Sequence, residues 1–243
     1  MPAHVVEFGN VGKPPEPDGR LDAPAFHRNH DAIWSVISPF LQARTGDALE
    51  VGSGTGQHVA AFAQATPEIV WWPSDVNTKH LASIAAWRAH AQLPNLRAPT
   101  PIDLLDADWD LERRGLPREF MAIVCINVLH IAPWPVSQQI LAGAARHLRR
   151  DGRLFVYGPF MRDGEHTAPR NAEFDAGLRT ANPEWGVRDI ADLAAVADHS
   201  GLRLSDSVAM PANNFVLVFD RRSQHPNAIS PPASHSLGWR RGQ

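Results

Sequence analysis

The residues best suited to chemistry cluster in "LEVGSGTGQH", residues 49 to 58, where a carboxylate, Glu50, stands just ahead of three glycines at alternate positions, Gly52, Gly54 and Gly56. Glycines so placed let a chain turn tightly from a strand into a helix and approach a ligand, with the free amides of the helix start beside it. A dinucleotide loop needs a third glycine five residues after the first; counted from Gly52 that position is Gln57, and from Gly54 it is Val59. A phosphate-binding P-loop needs Gly-Lys-Ser/Thr, which does not follow. Glu50 would repel a pyrophosphate but favours the cationic amino-acid end of a sulfonium ligand. The expected ligand is S-adenosylmethionine, with Thr55 part of the loop around it.

Other carboxylates follow in a telling order. Asp75 ends the run "IVWWPSD", where a carboxylate can accept both ribose hydroxyls, which carry no 2′-phosphate. Asp103, with Leu104 beside it, is placed for the adenine, and Asn127 closes "FMAIVCIN" where the methionine part would pass. Asp75 or Asp103 alone reads equally well as a helix cap. Four such positions at successive strand ends, on the side where open α/β sheets bind ligands, read as a cofactor site.

Methyl transfer asks an enzyme mainly to align a nucleophile and, for an alcohol or amine, to take a proton. His130 and Tyr157, the single tyrosine, are the candidate catalytic wall residues; the alternative is a loop histidine bonded to backbone and a tyrosine that packs and anchors its hydroxyl. Arg28 and Asn29 ahead of the first helix are placed to fold over the methionine carboxylate, Arg28 by two-point pairing. Arg162 in the polar "MRDGEH" loop and Asn213 in the "PANN" turn are candidate substrate contacts. That loop is too short to hold three metal ligands at proper angles, and no metal is expected.

These residues need a scaffold of alternating strands and helices. Strands are expected at "ALEV", "IVWW", "LRAPTPID", "FMAIVCIN", "RLFVYG", "LRLSDSVAM" and "FVLVFDR", and helices at 57–65, 77–90, 136–149, 171–180 and over "RDIADLAAVADHSG" with Gly201 as cap. A first helix over "HRNHDAIWSVISPFLQAR" should kink or divide at Pro39. Pro99 and Pro101 confine the third strand to a sheet edge, and the short "PANN" connection makes the last two strands antiparallel. The predicted architecture is an α/β, Rossmann-like, seven-stranded sheet of order 3-2-1-4-5-7-6, strand 7 antiparallel, with helices on both faces. In this it resembles the class I S-adenosylmethionine-dependent methyltransferases. Residues 25–222 form one such domain, 1–24 a proline-rich arm on the surface or over a cleft, and 223–243 a tail in which Leu237 and Trp239 hint at docking.

At greater length the chain resembles the methyltransferase-like protein 26 family, a domain-of-unknown-function family with a methyltransferase fold. The blocks that carry this are "RNHDAI", "LEVGSGTGQH", "WWPSDVN", "LASIAAW", "CINVLHIAPW", "YGPFMRDGEHTAPRNAEFDAGLR", "NPEWGVRDI" and "MPANNFVLVF". The resemblance implies a fold and a cofactor, and a Lys or Glu where this chain has His30.

Bulk properties narrow the partners. With 23 Lys+Arg against 26 Asp+Glu and a formal charge of -3, the chain offers no general polyanion-binding surface. No Asp/Asn-Pro-Pro-aromatic run follows the fourth strand, so nucleobase methylation is disfavoured. Neither a signal segment nor an apolar run of spanning length is present, and the one cysteine, Cys125, lies in an apolar run, so a cytoplasmic location is expected and no membrane association. The acceptor is expected to be a small molecule, with a protein side chain as alternative. A cofactor-binding but non-catalytic interaction module is the competing class, and monomer and homodimer are both compatible.

Overall fold

In the computed structural model, which describes residues 15–42 and 44–222, the alternation of apolar runs and helical segments becomes a mixed sheet covered on both faces. The chain runs α1 (Pro24–Leu41), β1 (Gly46–Val51), α2 (Gln57–Ala65), β2 (Ile69–Asp75), α3 (Thr78–Ala91), β3 (Thr100–Pro101) and β4 (Phe120–Ile126). A 3-10 turn, Leu129–Ile131, leads into α4 (Trp134–His147), β5 (Leu148–Arg162), β6 (Glu165–His166), α5 (Pro169–Ala181), β7 (Arg188–Asp189), α6 (Ile190–Ser200), β8 (Leu202–Met210) and β9 (Asn214–Arg221). The main path is β3-β2-β1-β4-β5-β9-β8, with β6 and β7 paired to the far end of β5. This is the expected order of seven strands, and β9 is antiparallel to both β5 and β8.

The third strand shrinks to two residues at the edge. Its prolines cannot donate to the ladder, and only Ser74↔Thr100 and Asp75↔Pro101 remain in register. The expected break at Pro39 does not divide α1, which runs on as one helix. Pro39 falls in the last turn, so few hydrogen bonds remain to be lost beyond it, and Gln42 N–H closes the helix on Ser38 O. At α6 the expected cap holds: Gly201 adopts φ 89°, and Asp189 caps the start by accepting from Ala191 N–H at 2.7 Å.

Two apolar layers hold the sheet. Ile33, Ile37 and Leu41, one turn apart on α1, join Val59, Phe62 and Ala63 of α2 against Ala48, Trp71, Val124, Phe155 and Tyr157. On the other face Val136, Ile140 and Ala144 of α4 and Leu193 and Ala197 of α6 cover Leu49, Val51, Ile123, Cys125, Leu154 and Val156. Each fully buried aliphatic side chain of this kind contributes about 1.5–3 kcal/mol. No described helix is long and apolar enough to cross a membrane.

The described part of the N-terminal arm is fastened near the glycine loop. Leu21 N–H donates to Ser83 Oγ at 2.9 Å, Trp87 Nε1–H to Leu21 O at 3.0 Å, and Ala23 N–H to Gln57 Oε1 at 2.6 Å. Leu237 and Trp239 lie outside the described residues.

Candidate active site

The glycine loop leaves β1 and enters α2, and its three glycines have different jobs. A Cβ on Gly52 would lie 2.6 Å from Val128 Cγ2, and one on Gly56 would lie 2.9 Å from the Ile84 backbone, so these two are packing positions. Gly54, at φ 56°, faces open space with no atom within 4 Å of a Cβ. Its N–H donates to Asp75 Oδ2 at 2.9 Å, which ties the crest of the loop to the end of β2.

Under this loop Glu50 is 1% exposed, and its Oε2 has no hydrogen-bond partner among the described residues. Burial pushes its carboxyl up to about 8; hydrogen bonding from Ser53 draws it back, and the charge of Asp75 raises it further. An acid so placed is neutral near pH 7 until a cation arrives to hold it ionised. Strand register puts Glu50 beside Val124 and Ile126 beside Tyr157, so Glu50 and Tyr157 share one face of the sheet.

Asp75 is nearly buried and already organised. Oδ1 accepts from Asn77 N–H at 2.9 Å and lies 3.3 Å from His80 Nδ1, while Oδ2 takes Gly54 N–H. The cap of α3 is Asn77, accepting from Lys79 N–H, so Asp75 braces the loop instead of capping the helix. Asp103 stands two residues past β3, where Oδ1 accepts from Leu105 N–H at 2.9 Å, and Leu104 is 9% exposed beside it. Asn127 follows β4 in a left-handed conformation, φ 59°, with its N–H on Tyr157 O at 2.9 Å. These residues therefore line the carboxyl edge of β2, β3 and β4. The Thr55 hydroxyl turns inward to Gln57 Oε1 at 3.0 Å, and its carbonyl accepts from Ser83.

The two candidate wall residues sit on opposite faces of β5. Tyr157 faces α1, where Asn214 Nδ2 donates to its Oη at 3.0 Å and Asn29 supplies a second side-chain hydrogen bond. Burial raises the phenol above its usual value, against the pull of those two bonds and of Arg28. His130 lies over the other face, where a Cβ on Gly158 would stand 3.6 Å from its Nδ1. Burial, with the Arg188 guanidinium beside it, brings this imidazole down to about 4, so it is neutral at pH 7. Its carbonyl accepts from Gly186 N–H, and Arg188 binds the carbonyls of Leu129 and Ala132 on either side.

Arg28 and Asn29 lie in the second turn of α1, where Arg28 is exposed and Asn29 is buried with its Oδ1 3.0 Å from His58 Nε2. Arg162 stacks 4.6 Å over Phe215 and reaches Ser207 Oγ at 3.3 Å. Asn213, at φ 57°, offers its carbonyl to Asn171 Nδ2 at 3.1 Å. No group of three or more metal-binding side chains occurs among the described residues. Sequence reasoning missed His58, His80 and Asn171. His58 had a signal, since it stands two residues past Gly56 in the first turn of α2; His80 lies only five residues past Asp75, and Asn171 depends on a contact 42 residues away.

Solved structures share this fold. A methyltransferase in calicheamicin biosynthesis, CalO1, in an SAH-bound form, superposes with a TM-score of 0.60 at 20% identity, over 80% of this chain and 55% of that one. An O-methyltransferase family protein from Burkholderia thailandensis gives 0.63 at 18%, over 83% and 60%. The mitomycin 7-O-methyltransferase MmcR gives 0.60 at 20%, over 81% and 57%. The chain thus spans between 55% and 60% of the length of these proteins. At such identities the likeness carries the fold, which is the α/β Rossmann-like fold of class I methyltransferases. Residues 20–221 match the family described as "Protein of unknown function (DUF938)", and the chain belongs to that family.

Proposed function

We propose that this chain is an S-adenosylmethionine-dependent methyltransferase of a small-molecule acceptor. The observation that carries the reading is Glu50, a buried carboxyl with an unpartnered oxygen beneath a loop whose central glycine faces open space. That pair suits a ligand with an ammonium group and a nucleoside body, and the bracing of Gly54 by Asp75 joins the two ends of such a site. The solved neighbours support it: one is SAH-bound, and another is named for O-methylation of mitomycin.

Glu50 would pair with the ammonium, with Gly52, Gly54, Thr55 and Gly56 forming the loop around the amino-acid end. Asp75 Oδ1 is shared between Asn77 and His80, while Oδ2 keeps a lone pair beside its bond from Gly54 and would accept from a ribose hydroxyl. Asp103 and Leu104 would meet the adenine by polar and apolar contact, and Asn127 the methionine chain. Bound there, the cofactor supplies a methyl group already activated by positive sulfur. The protein's task is then alignment of the acceptor and exclusion of water. Tyr157 shares the face of Glu50 and is the better wall residue; His130 serves the 3-10 turn. Arg162 and Asn213 would bound the acceptor side, and residues 15–24 the loop side, of one domain covering 25–222. The finer kinship, to the methyltransferase-like protein 26 family, rests on the sequence blocks, and a cytoplasmic location agrees with the single buried thiol, Cys125.

The test is incubation of metabolite extract with labelled S-adenosylmethionine, comparing the protein with Gly54→Arg. Label entering one small product only with the unaltered protein supports the reading; label confined to protein, or absent, overturns it.

A further inference from the structure

The β3 edge of the sheet gathers three arginines with no acid among them. Arg88 stands in the last turn of α3, Arg97 in the segment leading to β3, and Arg114 in the loop between β3 and β4. All three are exposed, and with Trp72, Pro99 and Pro101 they line one cavity of about 640 Å³. No carboxylate lines it, and neither does any residue of the candidate active site. Arg113, beside Arg114, is matched with Asp110 at 3.9 Å, whereas Arg88, Arg97 and Arg114 form no ion pair among the described residues.

Each guanidinium is held by contacts that leave donors unused. Arg88 Nε–H donates to Leu96 O at 2.8 Å, which leaves both terminal amino groups. Arg114 donates from Nε to Trp109 O at 3.1 Å and from Nη1 to Pro101 O at 2.6 Å, which leaves Nη2. Arg97 lies 5.6 Å over the Trp72 ring and makes no side-chain hydrogen bond among the described residues, while Trp72 Nε1–H is fixed on Asp47 Oδ1 at 2.7 Å. Covering the carbonyls of an edge segment accounts for Arg88 and Arg114 in part. It does not account for Arg97, nor for three cations sharing one cavity in a chain of formal charge -3. Like charges so gathered repel one another, and an anion among them removes that repulsion while filling the unused forks.

The edge also narrows the class of ligand. Pro99 and Pro101 have no N–H to offer, and the Leu96 and Pro101 carbonyls are already taken, so an added peptide strand finds few partners here. The cavity has the size of a small-molecule site. Its walls set a cationic end beside the apolar rings of Trp72, Pro99 and Pro101. Three guanidiniums match a dianion with several acceptor oxygens better than they match one carboxylate.

We propose that this edge cavity binds a small phosphate monoester, its dianion held by Arg88, Arg97 and Arg114 and its apolar body laid against Trp72, Pro99 and Pro101. The site is separate from the cofactor site and does not depend on the methyltransferase reading.

The probe is phenyl phosphate at pH 8, above the second ionisation of a phosphate ester at about 6, followed through its 31P resonance and by calorimetry. Saturable binding is expected, with phenyl sulfate, a monoanion of similar shape, weaker and phenol without effect. Arg88→Gln, Arg97→Gln and Arg114→Gln should each weaken binding about tenfold or more, the loss of one charged hydrogen bond. Arg203→Gln, on β8 at the opposite edge, should change nothing. Because Arg97 has no side-chain hydrogen bond to lose, Arg97→Gln should leave thermal unfolding unchanged, which separates lost binding from lost folding. Saturating S-adenosylhomocysteine should leave phenyl phosphate bound; displacement would place the phosphate in the cofactor site and overturn the proposal. Equal binding of phenyl sulfate overturns the dianion class. Affinity for oligothymidylate that grows with its length, with none for phenyl phosphate, assigns the arginines to nucleic acid and overturns the small ligand. Absence of binding, or binding that all the variants retain, overturns the site.

Discussion

Replacing Glu50 with glutamine exchanges a buried acid for a neutral group of the same shape, and it should act oppositely on stability and on binding. In the folded, ligand-free protein burial lifts this carboxyl from 4.5 to about 8. A raised acid contributes stability that is fully present below its unfolded value and is lost as pH rises through the folded one. Each pH unit inside that window costs about 1.4 kcal/mol, so by pH 7 the loss reaches about 3 kcal/mol, with less than about 1 kcal/mol lost at pH 5. Glu50→Gln has no such titration. Denaturant unfolding of both proteins from pH 5 to 8 should find the variant increasingly more stable as pH rises, by about 3 kcal/mol at pH 7. The same variant should bind S-adenosylhomocysteine more weakly by on the order of 1.5–3 kcal/mol. A stability difference that does not grow with pH, or a variant less stable at pH 8, would refute the reasoning about this carboxyl.

Three further outcomes follow from the site. Asp75→Ala should weaken S-adenosylhomocysteine binding by on the order of 1.5–3 kcal/mol through lost charged hydrogen bonds, and calorimetry finding unchanged affinity would remove Asp75 from the site. Gly54→Ala should cost only the strain of its left-handed backbone, about 1 kcal/mol, while impairing binding. Gly56→Ala, which drives a Cβ against the Ile84 backbone, should destabilise more in thermal unfolding; equal losses would contradict the division of labour within the loop. Because burial brings His130 down to about 4, 15N spectra of its ring should report a neutral imidazole from pH 8 to about 5, and protonation near 6.5 would restore it as a candidate proton carrier.

The sheet could be foreseen because parallel strands buried on both faces read as apolar runs, and because Pro99 and Pro101 advertise an edge. The two-residue pairs β6 and β7 could not, since they exist only because β5 continues past Gly158 to Arg162. Glu50, Gly54 and Asp75 were legible as a site because their order along the chain matches their order along the strand ends. Gln57 was legible only as a missing glycine; the structure gives it work, tying the arm to the loop through Asp22, Ala23 and Thr55. His130 and Tyr157 both read as wall residues because they stand near the ends of inner strands, yet the 3-10 turn and the alternation of β5 put them on opposite faces. The bracket of Asn29, His58, Tyr157 and Asn214 joins four elements, and no local pattern announces contacts made across such separations.

The central claim is that the buried Glu50 carboxyl receives the cationic end of a methyl-donor cofactor. Calorimetric titration with S-adenosylhomocysteine at pH 7, repeated in buffers of different ionisation enthalpy, tests it most directly. One saturable site is expected, with close to one proton released on binding by the unaltered protein and none by Glu50→Gln. Absence of binding, or binding that releases the same protons from both proteins, would contradict it.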